Sequence, residues 1–155
     1  MSDPAARPTR VAVGSDHAGF RAKQKAIEVL RELGCEVQDL GTDSEASTDY
    51  PDYAVQVAQR VARKEADYGV LCCGTGIGMS ITANKVPGIR AAVCHNDFTC
   101  EMARRHNDAN VLCMGGRVLD DRGVEALVRL FLRTPFEGGR HSRRIRKIAD
   151  LDRGR

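Results

Sequence analysis

The chain has 155 residues, with 24 Lys and Arg against 21 Asp and Glu, and its formal net charge is +3. Hydrophobic residues make up 42% and charged residues 29%, which is typical of a one-domain globular protein and excludes a disordered, collagen-like or low-complexity chain. Aromatic residues make up only 5% and Trp is absent, so we expect no extended base-stacking surface for single-stranded nucleic acid.

Short apolar runs alternate with longer amphipathic segments along the whole chain. The runs predict strands at 11–14, 35–40, 69–73, 90–94 and 111–114. Helical spacing of apolar residues predicts helices at 18–33, 51–64, 79–85, 97–105, 120–132 and 140–149. This alternation is typical of right-handed crossovers, so we predict an α/β fold in which helices cover both faces of a five-stranded parallel sheet. One domain spans residues 10–150, and residues 1–9 and 151–155 are predicted to be flexible tails.

The cysteines and the polar first residues of the chain indicate the cellular compartment that we expect for this protein. Residues 1–10 include two prolines, and no run of about 18 apolar residues occurs, so we expect neither a secretory signal nor a membrane span. No Cys-x-x-Cys pair occurs among the six cysteines. We therefore expect free, mostly buried thiols in a cytoplasmic protein, and no zinc ribbon or redox motif.

Ligands of parallel α/β sheets bind beyond the carboxyl ends of the strands, so the loops there form the candidate site. These loops contain an acid, a histidine, a thiol and a glycine-rich turn. In chain order they are Ser15–His17, Thr42–Tyr50, Cys73–Gly78, His95–Asp97 and Gly115–Arg117.

The glycine-rich loop Gly74-Thr-Gly-Ile-Gly78 directly follows the third predicted strand. It is not the dinucleotide fingerprint, because position 79 is Met79, and the chain has no Walker A motif. Backbone N–H groups in such a loop, at a helix N-terminus, can bind an anion or stabilise a developing oxyanion. The alternative is a tight turn that binds no ligand.

Cys73 directly precedes this loop, and a helix N-terminus favours the thiolate, so Cys73 is a candidate base or nucleophile. Cys72 must face the other side of the strand, so one thiol belongs to the core and the other can reach the site. No cysteine has an Arg six positions later, which excludes a thiol phosphatase. His106 is expected as a second titratable group beside Cys73.

Arg140 and Arg144 lie four positions apart in the last predicted helix, so both guanidinium groups project from one face and suit a phosphate. Seven of the final sixteen residues are Lys or Arg. The alternatives are therefore a solvated basic helix or a basic tail that binds nucleic acid nonspecifically.

Five segments, in this order, resemble the ribose-5-phosphate isomerase B family, which also includes the galactose-6-phosphate isomerase subunits. The resemblance covers about residues 10–150. The segments are Gly14-Ser-Asp-His-Ala-Gly-Phe20, Thr48-Asp-Tyr-Pro51, Cys73-Gly-Thr-Gly-Ile-Gly78 with Ala83-Asn-Lys85, Arg105-His-Asn-Asp108 and Glu137-Gly-Gly-Arg-His141.

The resemblance implies an isomerase of aldose and ketose phosphates that works through an enediolate on a Rossmann-like α/β/α fold, without a metal or an organic cofactor. It implies that Cys73 is the base, that Thr75 shuttles a hydroxyl proton and that His106 opens the sugar ring. The residues implied to bind substrate are Asp16, His17, Tyr50, Gly74, Gly76, Ile77, Gly78, Asn107, Arg117, Arg140 and Arg144.

Within that set, the resemblance implies that His17, Arg140 and Arg144 clamp the phosphate. One branch of the family has Glu directly after the glycine loop, where this chain has Met79, so the cysteine branch applies. Family members are homodimers or homotetramers with shared active sites. Three residues are therefore candidates to serve a neighbouring subunit's pocket, namely His106, Asn107 and Arg117.

The implied reaction interconverts ribose 5-phosphate and ribulose 5-phosphate, a step of the non-oxidative pentose phosphate pathway. The alternatives are an isomerase of a hexose 6-phosphate, such as allose or galactose 6-phosphate, and a noncatalytic module that binds sugar phosphates or nucleic acid. Cys73, Thr75 and His106 argue against the noncatalytic module, because binding alone requires no proton-transfer groups. We expect neither a nucleic-acid nor a membrane partner.

Overall fold

The computed structural model describes residues 6–154, which form one open parallel sheet covered by helices on both faces. The strands are β1 (Arg10–Ser15), β2 (Glu36–Asp39), β3 (Tyr68–Cys73), β4 (Ala91–Val93) and β5 (Val111–Gly115). The helices are α1 (Phe20–Glu32), α2 (Tyr50–Ala62), α3 (Ile77–Ala83), α4 (Asp97–Asn107), α5 (Asp121–Arg133) and α6 (Arg140–Leu151). Every predicted strand and helix is present. In residues 6–154 no helix has the length and apolar character of a membrane span.

Two helix starts differ from the prediction by two residues, each for a local reason. The first predicted helix opens with a short 3-10 helix at His17–Gly19, because the Asp16 carboxylate accepts the Gly19 N–H at 3.0 Å and caps that turn. The third helix begins at Ile77 rather than at 79. The left-handed backbone of Gly76, with φ of 82°, completes the turn earlier than the sequence pattern indicates.

The predicted tails are partly attached to the domain. Residues 1–5 and 155 lie outside the described residues. Within 6–9, the Arg7 guanidinium donates two hydrogen bonds to the Asp67 carboxylate, at 2.8 and 2.7 Å, and the Thr9 carbonyl accepts the Glu36 N–H. At the other end, α6 continues one residue into the predicted tail and ends at Leu151.

The strand order is β2-β1-β3-β5-β4 and all pairs are parallel. The crossover from β1 to β2 runs in the opposite direction to the crossover from β3 to β4. Because both are right-handed, α1 and α3 cover opposite faces of the sheet. α1, α4 and α5 pack on one face and α2 and α3 on the other, while α6 packs against α4. This is the predicted three-layer α/β/α architecture.

The central strands are buried on both sides, which explains their continuous apolar sequences. Val13, Val70 and Leu112 point toward α1 and α5, whereas Ala12 and Leu71 point toward α2 and α3. The six cysteines are free as predicted, and five of them are buried. The sheet is therefore a rigid platform whose carboxyl edge carries the candidate site.

Replacement of Asp67 by Asn should lower the free energy of unfolding by about 1 kcal/mol at neutral pH, as expected for a partly exposed ion pair. Hydrogen bonds from Arg7 and from the Arg10 backbone N–H lower the pKa of Asp67 from 3.8 to about 2. The folded-state pKa lies below the unfolded value, so this stabilisation is complete above about pH 4 and is lost as the pH falls toward 2.

Urea unfolding of the wild type and Asp67→Asn between pH 7 and pH 2 measures this effect. The matched control is Asp43→Asn, which removes an exposed carboxylate that has no ion pair among the described residues. If the free energies of unfolding of the wild type and Asp67→Asn differ by the same amount down to pH 2, the lowered pKa of Asp67 is contradicted.

Candidate active site

The site lies at the carboxyl ends of the adjacent strands β1 and β3. The helices that follow them, α1 and α3, cover opposite faces of the sheet. This divergence opens a crevice at the carboxyl edge of the sheet, the usual ligand position in such folds. A pocket of about 440 Å³ occupies the crevice. It is lined by Asp16, His17, Ala18, Tyr50, Cys73, Gly74, Thr75, Ile77, Gly78, Ile81 and Arg117.

All of these residues except Ala18 and Ile81 are predicted from the sequence. Gly76 belongs to the same loop without lining the pocket. Ile81 has a detectable signal in the sequence, because it follows Ile77 by four positions, about one helical turn. In the structure both side chains are exposed, at 53% for Ile77 and 59% for Ile81. Ala18 has no such signal.

Cys73 is the last residue of β3, and its buried side chain meets the floor of the pocket. The Gly76 N–H donates a hydrogen bond to Cys73 Sγ at 3.0 Å. An N–H donor aimed at sulfur favours negative charge on that atom. Gly76 reaches this position with a φ of 82°, and a β-carbon there would lie 3.0 Å from the Met114 carbonyl carbon, so the turn requires glycine.

Cys72 points into the opposite half of the core, as the strand alternation predicts. Its complete burial raises the pKa of Cys72 to about 12, so this thiol stays protonated. Cys73 alone of the two lines the pocket, which decides the choice that the sequence leaves open.

The loop after Cys73 is held in place by the segment after β5. The Gly116 N–H donates to the Cys73 carbonyl at 2.7 Å and the Arg117 N–H donates to the Gly74 carbonyl at 3.1 Å. The Arg117 side chain lies over Gly74, where a β-carbon would be 3.2 Å from its Nη1. Arg117 therefore belongs to the pocket of its own chain. Of the two possibilities that the sequence leaves open for Arg117, its own pocket or a neighbour's, the single chain places it at its own.

Thr75 and His17 present hydrogen-bond donors to the pocket. Thr75 Oγ1 accepts the Ile77 N–H at 3.2 Å, which leaves the hydroxyl proton available. His17 Nδ1 accepts the Thr48 backbone N–H at 3.2 Å, so a neutral His17 ring carries its proton on Nε2. No side-chain signal in the sequence could have revealed the role of the Thr48 amide.

Tyr50 and Gly78 form one wall of the pocket. Tyr50 is the first residue of α2, and its ring lies directly against Gly78 at the start of α3. A β-carbon at Gly78 would lie 2.5 Å from Tyr50 Cζ. The glycine is required here by contact with the ring and not by backbone conformation.

His106 does not lie beside Cys73 within one chain, so that expectation is wrong for the single subunit. α4 runs from the carboxyl edge of the sheet back to its amino edge, and His106 is in its last turn. Arg90, directly before β4, donates from Nε to the carbonyl of Asn107 at 3.1 Å, which places the end of α4 at the amino edge. β5, which is five residues long and spans about 13 Å, separates this edge from Cys73.

Arg140 and Arg144 share this remote position, because α6 packs against α4. The predicted phosphate clamp of these arginines with His17 is therefore not assembled within one chain. Asn107 lines a second pocket of about 400 Å³ at the amino edge, together with Ile148 and Leu151.

Two residues to which the sequence analysis gives no role surround His106. The His141 ring stacks on His106 with centroids 4.2 Å apart and an interplanar angle of 13°. Glu137 carboxylate oxygens lie 3.9 Å from Nε2 of each histidine. Burial, with a smaller effect from His106, lowers the pKa of His141. Sequence spacing could not link His106 to this pair, because the packing of α6 on α4 brings them together.

Comparison with known proteins identifies the family of this chain. The family model described as Ribose/Galactose Isomerase matches residues 11–148. This chain belongs to the ribose/galactose isomerase family. It is 46% identical to ribose-5-phosphate isomerase B of Escherichia coli K12 over 146 residues, which cover 94% of this chain and 98% of the relative.

Solved structures of family members share the fold. The ribose 5-phosphate isomerase of Thermotoga maritima superposes with a TM-score of 0.90 at 50% identity, covering 93% of this chain and 99% of that one. The type B ribose 5-phosphate isomerase of Trypanosoma brucei gives a TM-score of 0.90 at 48% identity, covering 94% and 99%. The predicted Rossmann-like fold and the predicted family are confirmed.

Gly78→Ala should lower kcat/KM for sugar phosphate by about tenfold or more, because the added methyl group displaces the Tyr50 ring and changes the pocket wall. Steady-state kinetics measures the effect, and circular dichroism checks the fold. Gly123→Ala in the first turn of α5 is the matched control, since its β-carbon would meet mainly the Leu119 side chain. Unchanged kinetics in Gly78→Ala would refute the role of this wall.

Proposed function

We propose that this protein is an aldose–ketose isomerase that interconverts ribose 5-phosphate and ribulose 5-phosphate. Its family membership and its similarity to the ribose-5-phosphate isomerase B of E. coli support the reaction class and the substrate. The observation that carries the chemistry is the Cys73 thiol at the pocket floor, which accepts the Gly76 N–H at 3.0 Å.

In the proposed reaction, the Cys73 thiolate removes the proton from C2 of the open-chain aldose. The electron pair of the C–H bond forms the C1–C2 double bond of an enediolate, and negative charge develops on O1. Backbone N–H groups of the Gly74–Gly78 loop stabilise this charge, apart from those of Gly76 and Ile77, which already donate to Cys73 Sγ and Thr75 Oγ1. The Thr75 hydroxyl moves a proton from O2 to O1, and the Cys73 thiol then returns its proton to C1. No external oxidant or reductant is needed, because both protons stay within the substrate and the site.

The remaining pocket residues suit a phosphorylated sugar. Arg117 supplies positive charge over the glycine loop and His17 supplies an Nε2–H donor. One Asp16 oxygen caps Gly19, which leaves the second oxygen to accept a sugar hydroxyl. Tyr50 closes the side of the pocket.

We further propose that two copies of the chain share their active sites. His106, Asn107, Arg140 and Arg144 cannot reach the Cys73 of their own subunit, whereas a second copy can present them to its neighbour's pocket. The exposed side chains of Ile77 and Ile81 beside the pocket offer an apolar surface for such a copy. In a homodimer with two-fold symmetry this contact occurs twice and completes both sites, with His106 as the ring-opening acid or base.

A cytoplasmic location is part of the same proposal, supported by the six free thiols. The absence of a resident cofactor stays a prediction from the family resemblance.

Cys73→Ala should lower kcat for ribose 5-phosphate by about 100-fold or more, because removal of a general base typically costs 10² to 10⁴ in rate. Substrate binding should persist, since the residues around the phosphate are intact. Coupled ketose formation measures turnover and calorimetry measures binding. Cys72→Ala is the matched control, because that thiol faces the core on the other side of the sheet.

Substantial isomerase activity in Cys73→Ala would exclude its role as the base. Allose 6-phosphate and galactose 6-phosphate, assayed beside ribose 5-phosphate, test the substrate. Preference for a hexose phosphate would keep the mechanism and replace the substrate, whereas binding without turnover of all three would favour the noncatalytic module.

Mixing two inactive variants tests the shared site. Cys73→Ala and His106→Asn homodimers should each be inactive on the cyclic substrate. Random exchange of subunits makes half of the dimers mixed, each with one intact site of two, so activity should recover to about one quarter of the wild type. Light scattering verifies the dimer. Failure to recover activity after proven exchange would show that each site belongs to a single chain.

A further inference from the structure

Three metal-ligating side chains converge at the amino edge of the sheet. His106 is in the last turn of α4, Glu137 is in the loop before α6, and His141 is in the first turn of α6. One ligand atom from each lies within 4.8 Å of the other two. Two imidazole nitrogens and one carboxylate oxygen are a frequent protein ligand set for Zn²⁺, with the fourth position left to water.

The buried member of the cluster has an unused nitrogen. The His141 side chain is only 6% exposed, and its Nε2 has no hydrogen-bond partner within residues 6–154. Buried polar atoms normally have a partner, so an unpaired imidazole nitrogen that faces a carboxylate indicates a missing ligand. This observation is independent of the convergence of the three side chains.

The backbone around the cluster fixes its position. The Glu137 N–H donates to the Arg105 carbonyl at 3.0 Å, next to His106. The His141 N–H donates to the Gly138 carbonyl at 3.2 Å and starts α6. The loop that carries Glu137 is thereby attached to the end of the helix that carries His106.

Metal binding requires a modest adjustment of two side chains. Tetrahedral ligands at about 2.1 Å from Zn²⁺ lie about 3.4 Å apart, so the two 3.9 Å separations must shorten by about 0.5 Å. The two ring planes are nearly parallel, at 13°, so their in-plane lone pairs cannot both meet at one ion unless His106 turns out of the stack. His106 is 36% exposed and Glu137 49% exposed, which leaves both able to rotate around the buried His141.

The surrounding charges favour a reversible site over a permanent one. The Glu137 carboxylate and the carbonyl end of α4 attract a cation. Arg140 and Arg144 lie close enough to His141 to oppose it. We expect binding that responds to added metal and is removed by chelators.

We propose that His106, Glu137 and His141 form an inhibitory binding site for Zn²⁺. Coordination uses the lone pair of His106 that proton transfer to the sugar ring would require, so occupancy blocks ring opening. The inhibition rests on the proposed function of His106, whereas the binding of the metal does not.

Calorimetric titration of the chelator-treated full-length protein with Zn²⁺ tests the binding. The wild type should bind one ion per chain at this site, and Glu137→Gln and His141→Asn should each weaken it by about tenfold or more. Glu101→Gln is the matched control. It removes a carboxylate of α4, the helix that contains His106, and this carboxylate pairs with Arg105 and not with the histidines. Equal weakening by Glu101→Gln, or no effect of Glu137→Gln, would overturn the site. Glu137 is half-exposed, so its variant tests the proposal even if His141→Asn does not fold.

Co²⁺ in place of Zn²⁺ distinguishes this cluster from the cysteines. Thiolate ligation produces an intense sulfur-to-cobalt charge-transfer band, whereas nitrogen and oxygen ligands do not. We expect the band to be absent from the bound form. A thiolate band that titrates with the main binding event would refute the assignment.

Isomerase assays then test the inhibition. Added Zn²⁺ should inhibit the wild type, a chelator should restore its activity, and Glu137→Gln should need at least about tenfold more Zn²⁺ for the same inhibition. Full activity with the cluster occupied would overturn the inhibitory site. Loss of activity after chelation, restored by a divalent ion, would do the same. Because binding is measured without substrate, failure of the metal site and failure of the proposed reaction remain distinguishable.

Discussion

The right-handedness of the crossover connections is the constraint on which the site depends. β1 and β3 are neighbours, but β1 connects to β2 at one side of the sheet and β3 connects to β4 at the other side. Because both connections are right-handed, α1 and α3 must cover opposite faces. The space between the two departing loops is the pocket. It holds Asp16 and His17 from the first loop and Cys73 with its glycines from the second. The chemistry-bearing residues of both loops therefore gather in this pocket.

Backbone geometry prepares Cys73 within this pocket. Adjacent cysteines on one strand must face opposite layers, and burial keeps Cys72 protonated while Cys73 meets the pocket. The left-handed Gly76 directs its amide to Cys73 Sγ, and contacts from the segment after β5 hold the loop. The loop amides are therefore held in place by the fold, which is the preorganisation that the proposed stabilisation of an oxyanion requires.

The same topology divides the functional residues between two edges of the sheet. A helix that connects parallel strands must return to the amino edge, so His106 ends far from Cys73 and close to Glu137 and His141. Each subunit thus has the Cys73 pocket at one edge and a histidine cluster at the other. In the proposed dimer, the Cys73 pocket of one subunit meets the histidine cluster of the other. The proposed zinc site places an inhibitory ion on that cluster.

Local sequence determined much of this protein. Apolar periodicity predicted all five strands and six helices. The loops at the carboxyl ends of the strands, together with the family resemblance, predicted most of the pocket. The part around Gly74–Gly78 is local, because a strand followed by a glycine loop specifies its own turn and position. Contacts between distant segments could not be predicted in this way. Only the tertiary structure decided that Arg117 covers its own loop, that the Thr48 amide orients His17, and that His106 joins His141 instead of Cys73. Those outcomes depend on how helices pack and in which direction they cross the sheet, and sequence spacing contains no measure of either.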